Sequence, residues 1–328
     1  VMHLRLIVPP AKTVIIETGL LNDARITNLV VLRGAAQRPP GDVVLCDVTR
    51  EAVQDLLTWL RSEGIYEAGS VTLTHVDAAP SPNHSATEVA AVGAPDDAII
   101  FDQVLDTAYN EARGSWAYYV FFSLATLLAA VAVITDSSVL VVGAMVVGPE
   151  FGLIAAIAIG AVMGRYALMS RALWLLLKGF AVAIVVTTTA GLLARWIGWI
   201  SEATVAAPRP LTGFIWSPDK WSAVVAVLAG CAGVLSHTAG KSTALVGVFI
   251  SVTTVPAAGD FALSLAVWET GHLGGAAAQL GINLLGLIGA GILTLLLQRT
   301  LWSRVRPYRR SSTLLHRKAH PATHIKKR

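Results

Sequence analysis

Two acidic residues lie in the most apolar part of this 328-residue chain, and each follows a proline: Glu150 directly after Gly148-Pro149, and Asp260 about one turn after Pro256. An ionisable group at membrane depth is costly and is by default functional. Proline removes a backbone donor and clashes with the preceding turn, so an apolar helix is expected to break at Pro149 and again at Pro256. Such a break exposes amides and carbonyls able to hold an ion or a substrate. The chemistry expected of Glu150 and Asp260 is proton or cation coupling, with Glu150 the stronger candidate. The competing reading is that each acid merely complements the positive end of a half-helix. Ser138, Ser242, Thr253, Thr254 and Asn283 could supply neutral oxygens around the site, and Gly148 close backbone approach. Small residues of this kind also serve helix packing.

The two breaks sit in stretches that resemble each other. Ser138-Val139-Leu140-Val141-Val142-Gly143 is echoed by Ser242-Thr243-Ala244-Leu245-Val246-Gly247. Paired interrupted apolar segments in two halves of a chain point to the binding site of a transporter-like protein.

The elements that must position these residues are membrane helices. Hydrophobic residues make up 54% of the chain and charged residues 14%, with a mean hydropathy of +0.63, which excludes an ordinary soluble protein. A crossing needs roughly 20 apolar residues. The apolar runs give about six: Trp116 to Ile134, Ser138 to Met163, Ala172 to Trp196, Trp221 to His237, Thr243 to Trp268 and Leu273 to Trp302. Three crossings per half is an odd number, so two similar halves must insert in opposite senses, as a 3+3 inverted repeat with two broken helices. Arg165, Arg171, Lys241 and the basic tail from Arg304 fall on one side, and the positive-inside rule makes that side, with both termini, cytoplasmic. The location expected is the inner membrane of a bacterial cell.

Residues 1–77 alternate normally between apolar and charged. Strands at Leu4 to Val8, Ile26 to Leu32, Asp42 to Val48 and Val71 to Val76, with helices at Lys12 to Leu21 and Glu51 to Glu63, give the order βαββαβ of a small α+β ferredoxin-like domain. Thr49 is a good N-cap for the second helix. No signal peptide is expected, because Val1 to Val8 is short and closed by Pro9-Pro10, so this domain should be cytoplasmic. Residues 78–98 form a linker, 99–114 an amphipathic connecting helix, 115–303 the membrane domain and 304–328 the basic tail. The stripe Ile99, Ile100, Val104, Leu105 and Ala108 could lie on the bilayer, on a neighbouring subunit or on its own domain.

The stretch ITDSSVLVVGAMVVGPEFGLI, from Ile134 to Ile154, resembles the NS-x-AVVIGAM-x-I-x-P segment of a prokaryotic membrane family, domain of unknown function 389. Gly230-Cys231-Ala232-Gly233, Ser242 to Val248 and Val255-Pro256 resemble that family's second motif, SGAAG … S-x-ALVGVAIA … PP. Asn283 falls where the family's last helix has a Thr-Asn pair. The resemblance covers Ser115 to Leu297 and implies a multi-pass membrane protein variably joined to a cytoplasmic domain. Glu150 replaces an apolar residue of the family pattern, and Ala257 a second proline.

The function expected is a secondary transporter or channel for a small solute or ion. The alternative is a membrane-anchored regulatory protein that senses a cytosolic ligand without transporting. Neither catalysis, a cofactor, a metal nor a nucleic-acid partner is expected: Cys46 and Cys231 form no ligand cluster, and Gly240-Lys241-Ser242 lacks the first glycine of a phosphate loop at Leu235. The partners expected are membrane lipids, the solute or ion, and further copies of the chain, a dimer being favoured.

Overall fold

The computed structural model describes residues 1–76, Thr87, Ala91, 99–239 and 253–305, with side chains through Thr300. Ser242, the rest of the 78–98 linker and the tail beyond Val305 lie outside the described residues. The chain divides into two compact units, one built on Val1–Thr107 and one on the helices from Ala108 onward.

The N-terminal unit contains strands β1 (Met2–Val8), β2 (Ile26–Gln37), β3 (Pro40–Val48) and β4 (Ser70–His75), and helices α1 (Pro10–Leu21), α2 (Arg50–Ser62) and α3 (Ile65–Ala68). The strands form an antiparallel sheet in the order β2-β3-β1-β4. Alternation explains β1: Met2, Leu4, Leu6 and Val8 are buried and Arg5 is exposed. Against them pack Ile16 and Leu20 of α1 and Val53, Leu56, Leu57 and Leu60 of α2. Thr49 holds the N-cap position of α2, but its hydroxyl makes no capping bond, so the cap read from sequence is corrected. Helix α4 (Phe101–Glu111) follows. Its start is held on the sheet domain: Ile100 enters the sheet core, Gln54 accepts from the Phe101 amide at 2.8 Å, and Arg61 pairs with Asp102 at 2.7 Å.

The second unit is helical: α5 (Trp116–Ile134), α6 (Ser138–Val147), α7 (Glu150–Val162), α8 (Tyr166–Ile197), α9 (Glu202–Ala206), α10 (Lys220–Ala239), α11 (Thr254–Val267) and α12 (Thr270–Val305). Among the described residues four helices are long and apolar enough to cross a membrane, and five if the bent pair α6 and α7 counts as one span. That pair turns by 53°, and the turn falls at Gly148-Pro149, where the proline was expected to break it. Pro256 behaves differently. It is the third residue of α11, in a first turn where a missing N–H leaves no bond unmade; α11 thus begins inside the expected crossing Thr243 to Trp268, and residues 240–252 before it lie outside the described residues.

Helix α7 packs on α8 and α12, and α11 on α12, α8 and α5. Small residues set these distances. A Cβ at Gly259 of α11 would meet Ala129 of α5, one at Gly179 of α8 would meet Phe122 of α5, and one at Gly286 of α12 would meet Ala226 of α10. Close approach through small residues is the usual way membrane helices associate.

Candidate functional site

Proline and glycine place Glu150. Gly148 ends α6 in an extended conformation, Pro149 holds the N-cap position of α7, and Glu150 is the first residue of α7. The carboxylate folds back over the break, so that a Cβ at Gly148 would run into Oε2 and into Val255 of α11. Glycine is required there because the acid and a second helix occupy the space a side chain would need.

The helix meeting Glu150 is α11, at its own start. Thr253 is the N-cap of α11 and Thr254 its first residue. Thr254 Oγ1 donates to Glu150 Oε1 at 2.7 Å, across 104 residues of sequence. Thr253 Oγ1 accepts from Gln279 Nε2 at 3.1 Å and from Asn283 Nδ2 at 2.8 Å, two residues one turn apart on α12. Having accepted twice, the Thr253 hydroxyl retains its proton to donate. Glu150 is 7% exposed, Gln279 2% and Asn283 3%. Glu150 Oε2 and Gln279 Oε1 find no hydrogen-bond partner among the described residues. Nor does Glu150 make an ion pair there, so a hydroxyl is the one side-chain partner of this buried carboxyl among the described residues.

Of the residues singled out from sequence, Gly148, Pro149, Glu150, Thr253, Thr254, Pro256 and Asn283 come together at this junction. Ser138 does not. It is the first residue of α6, which has 10 residues, so it stands roughly 15 Å from the break.

Asp260 lies elsewhere as well, fully buried in the interior of α11. Its Oδ1 accepts from Arg209 Nη1 at 2.9 Å, and Arg209 also donates to the Val205 carbonyl in α9. The two acids are therefore separate, one unpaired by any base and one matched by an arginine. Beside this second cluster Asp136, at φ 46°, accepts from the Leu211 and Thr212 amides and from Thr212 Oγ1. His272 stacks on Trp216, with ring centroids 4.0 Å apart. Together these contacts fix the α8–α10 connector to the helical unit.

Gln279 and Arg209 escaped the sequence reading. Gln279 carried a usable signal, since it lies four residues before Asn283 and so on the same helical face. Arg209 carried none: an arginine in a Pro-rich connector gives no sign of which acid it will reach.

Residues 145–289 match the model of a family described as Domain of unknown function (DUF389), which bears out the resemblance read from the two motifs. No curated protein and no solved structure matches the chain.

Proposed function

We propose that this chain is a secondary transporter or channel for a small solute or ion, working through the junction at which α7 and α11 begin. The observation that carries the reading is the bond between Glu150 and Thr254. Each is the first residue of its helix, and the 104 residues between them are the same interval that separates Ser138 from Ser242 and Gly143 from Gly247. Equivalent positions of two repeats meeting each other is what an axis relating inverted halves would produce.

The helix packing supports that reading, because its contacts come in matching sets. Helix α7 packs on α8 as α11 packs on α12, and α11 packs on α8 as α7 packs on α12. Gly179 and Phe122 join α8 to α5, as Gly286 and Ala226 join α12 to α10. In this account one half moves against the other around the shared junction. Both termini are cytoplasmic and the membrane is the bacterial inner membrane.

The N-terminal domain serves assembly or regulation. Its strand order β2-β3-β1-β4 with α1 and α2 between strands supports a ferredoxin-like assignment, and association of copies is proposed to be dimeric. The test is flux of small ions and solutes into liposomes containing the purified full-length chain. Transport above protein-free vesicles is expected. Absence of flux for every solute tested would overturn this reading and favour a membrane-anchored sensor.

A further inference from the structure

The Glu150 junction is surrounded by the positive ends of two helices. The N-terminus of a helix carries roughly half an elementary positive charge, and its unbonded amides form a ready anion site. Helices α7 and α11 are long enough for this effect, with 13 and 14 residues, and neither has a side-chain capping bond at its N-cap. Their first residues are within hydrogen-bond distance of each other. The carbonyl end of α6 arrives at the same break and offsets part of that potential.

What occupies this position is the Glu150 carboxyl. Oε1 takes the Thr254 hydroxyl, and Oε2, buried over Gly148, takes nothing among the described residues. Resting on the transport reading above, we propose that Glu150 fills a site for a small monovalent anion, of the size of chloride, nitrate or formate, and that a proton on Glu150 admits the anion. Ionised, the carboxylate approximately cancels the two helix ends and is its own ligand. Protonated, it leaves their positive potential uncompensated, and the Thr253 hydroxyl becomes a donor to a diffusible anion. One proton on Oε2 then accompanies each anion. A bare cation would instead have to approach two positive helix ends.

Titratable and charged groups approach Glu150 from several helices. From α5, Tyr118 lies within electrostatic reach. From α4, the Glu111 carboxylate lies against Gly152 in the same first turn of α7. Helices α6, α11 and α12 present neutral groups at the junction. The charged groups on the packed helices are directed elsewhere or lie further along: Lys178 of α8 sits over Trp174, Arg299 of α12 donates to Val162 at the far end of α7, and Asp260 of α11 holds Arg209. His237 follows Gly233, the α10 contact of Phe151, by one turn.

The experiment uses the full-length chain in detergent and in liposomes, with sodium nitrate, sodium formate and sodium gluconate as probes. Wild-type protein is expected to be stabilised thermally by nitrate or formate over gluconate at pH 5 and not at pH 8, and to take up protons with the anion. Glu150→Gln and Glu150→Ala, two neutral replacements of different size, are expected to show the anion effect equally at both pH values and to carry anion without proton uptake. Two results would overturn the proposal. One is an anion effect absent from wild type at pH 5 and from both variants; the other is stabilisation that follows sodium or potassium. Flux of a cation or neutral solute with no anion dependence would also overturn it while leaving transport standing, whereas anion binding without any flux would sustain the site and remove the transport reading.

Discussion

Glu150 and Asp260 are both acids buried in the helical unit, one at the start of an apolar helix and one in the interior of another, and their surroundings divide them further. Asp260 has Arg209 at 2.9 Å, with side-chain exposures of 0% and 3%. Glu150 has a threonine hydroxyl and, among the described residues, no ion pair; one oxygen of each carboxyl, Glu150 Oε2 and Asp260 Oδ2, finds no hydrogen-bond partner there. A buried pair in good geometry is a fixed fastener, because parting it leaves two charges out of water. A buried carboxyl without a base can change its charge or its ligand at far smaller cost. The difference assigns a structural role to Asp260, pinning the α8–α10 connector, and leaves Glu150 as the group able to respond.

The largest expected effect tests the first half of that comparison. Arg209→Met leaves Asp260 buried and unmatched and should cost about 3–5 kcal/mol, read as thermal unfolding in detergent. Adding Asp260→Leu should recover most of the loss, since an apolar pair of similar volume is tolerated there. A single variant as stable as wild type would show that the pair is not closed in the folded protein.

Thr254→Val comes next. Removing the donor leaves Glu150 Oε1 unsatisfied, at a cost of about 1–3 kcal/mol. Glu150→Gln keeps the shape and a hydrogen-bonding group and should cost only a few tenths to about 1 kcal/mol. If instead Glu150→Gln destabilised as much as Arg209→Met, the acid would be a structural element like Asp260 and the contrast would fail.

A third acid sharpens the comparison from outside the membrane helices. Asp42 on β3 also takes a threonine hydroxyl, Thr13 Oγ1 at 2.6 Å. There the Thr13 bond first, then the Gly34 amide, hold the carboxyl below the usual aspartate value, with Arg33 adding to the effect and burial opposing it. Because the folded value is the lower one, its stabilisation is complete above about pH 3.9 and is lost as pH falls through the native value. The protection of the β1 and β3 amides against hydrogen exchange, relative to the intrinsic exchange rate at each pH, should therefore fall on acidification below about pH 4 in the full-length chain, and Thr13→Val should flatten that response. No change with Thr13→Val would separate the hydroxyl from the effect.

Local physics made much of this architecture readable. Leu4, Leu6 and Val8 alternate with Arg5 because one face of β1 is buried, and Val53, Leu56, Leu57 and Leu60 recur at helical spacing because one face of α2 is. Gly148-Pro149 announced a break through the donor that proline lacks. Pro256 stands in the first turn of α11, which does not use that donor, and the residues that precede this helix lie outside the described residues. What stayed hidden were the partners across long stretches of chain: Thr254 for Glu150, Arg209 for Asp260, and the sheet domain for Ile100. No local pattern encodes which distant group a buried polar atom will reach; packing decides that. The 104-residue interval was present in the resembling stretches, but that Glu150 and Thr254, which are the same interval apart, touch emerges only from the packing.

The most direct measurement is the pH dependence of solute flux in liposomes, compared between wild type and Glu150→Gln at matched, well-folded protein. The account predicts flux that depends on pH in wild type, and flux in Glu150→Gln that has lost this dependence while the protein remains folded and inserted. A well-folded Glu150→Gln protein with the same flux and the same pH dependence as wild type would contradict it.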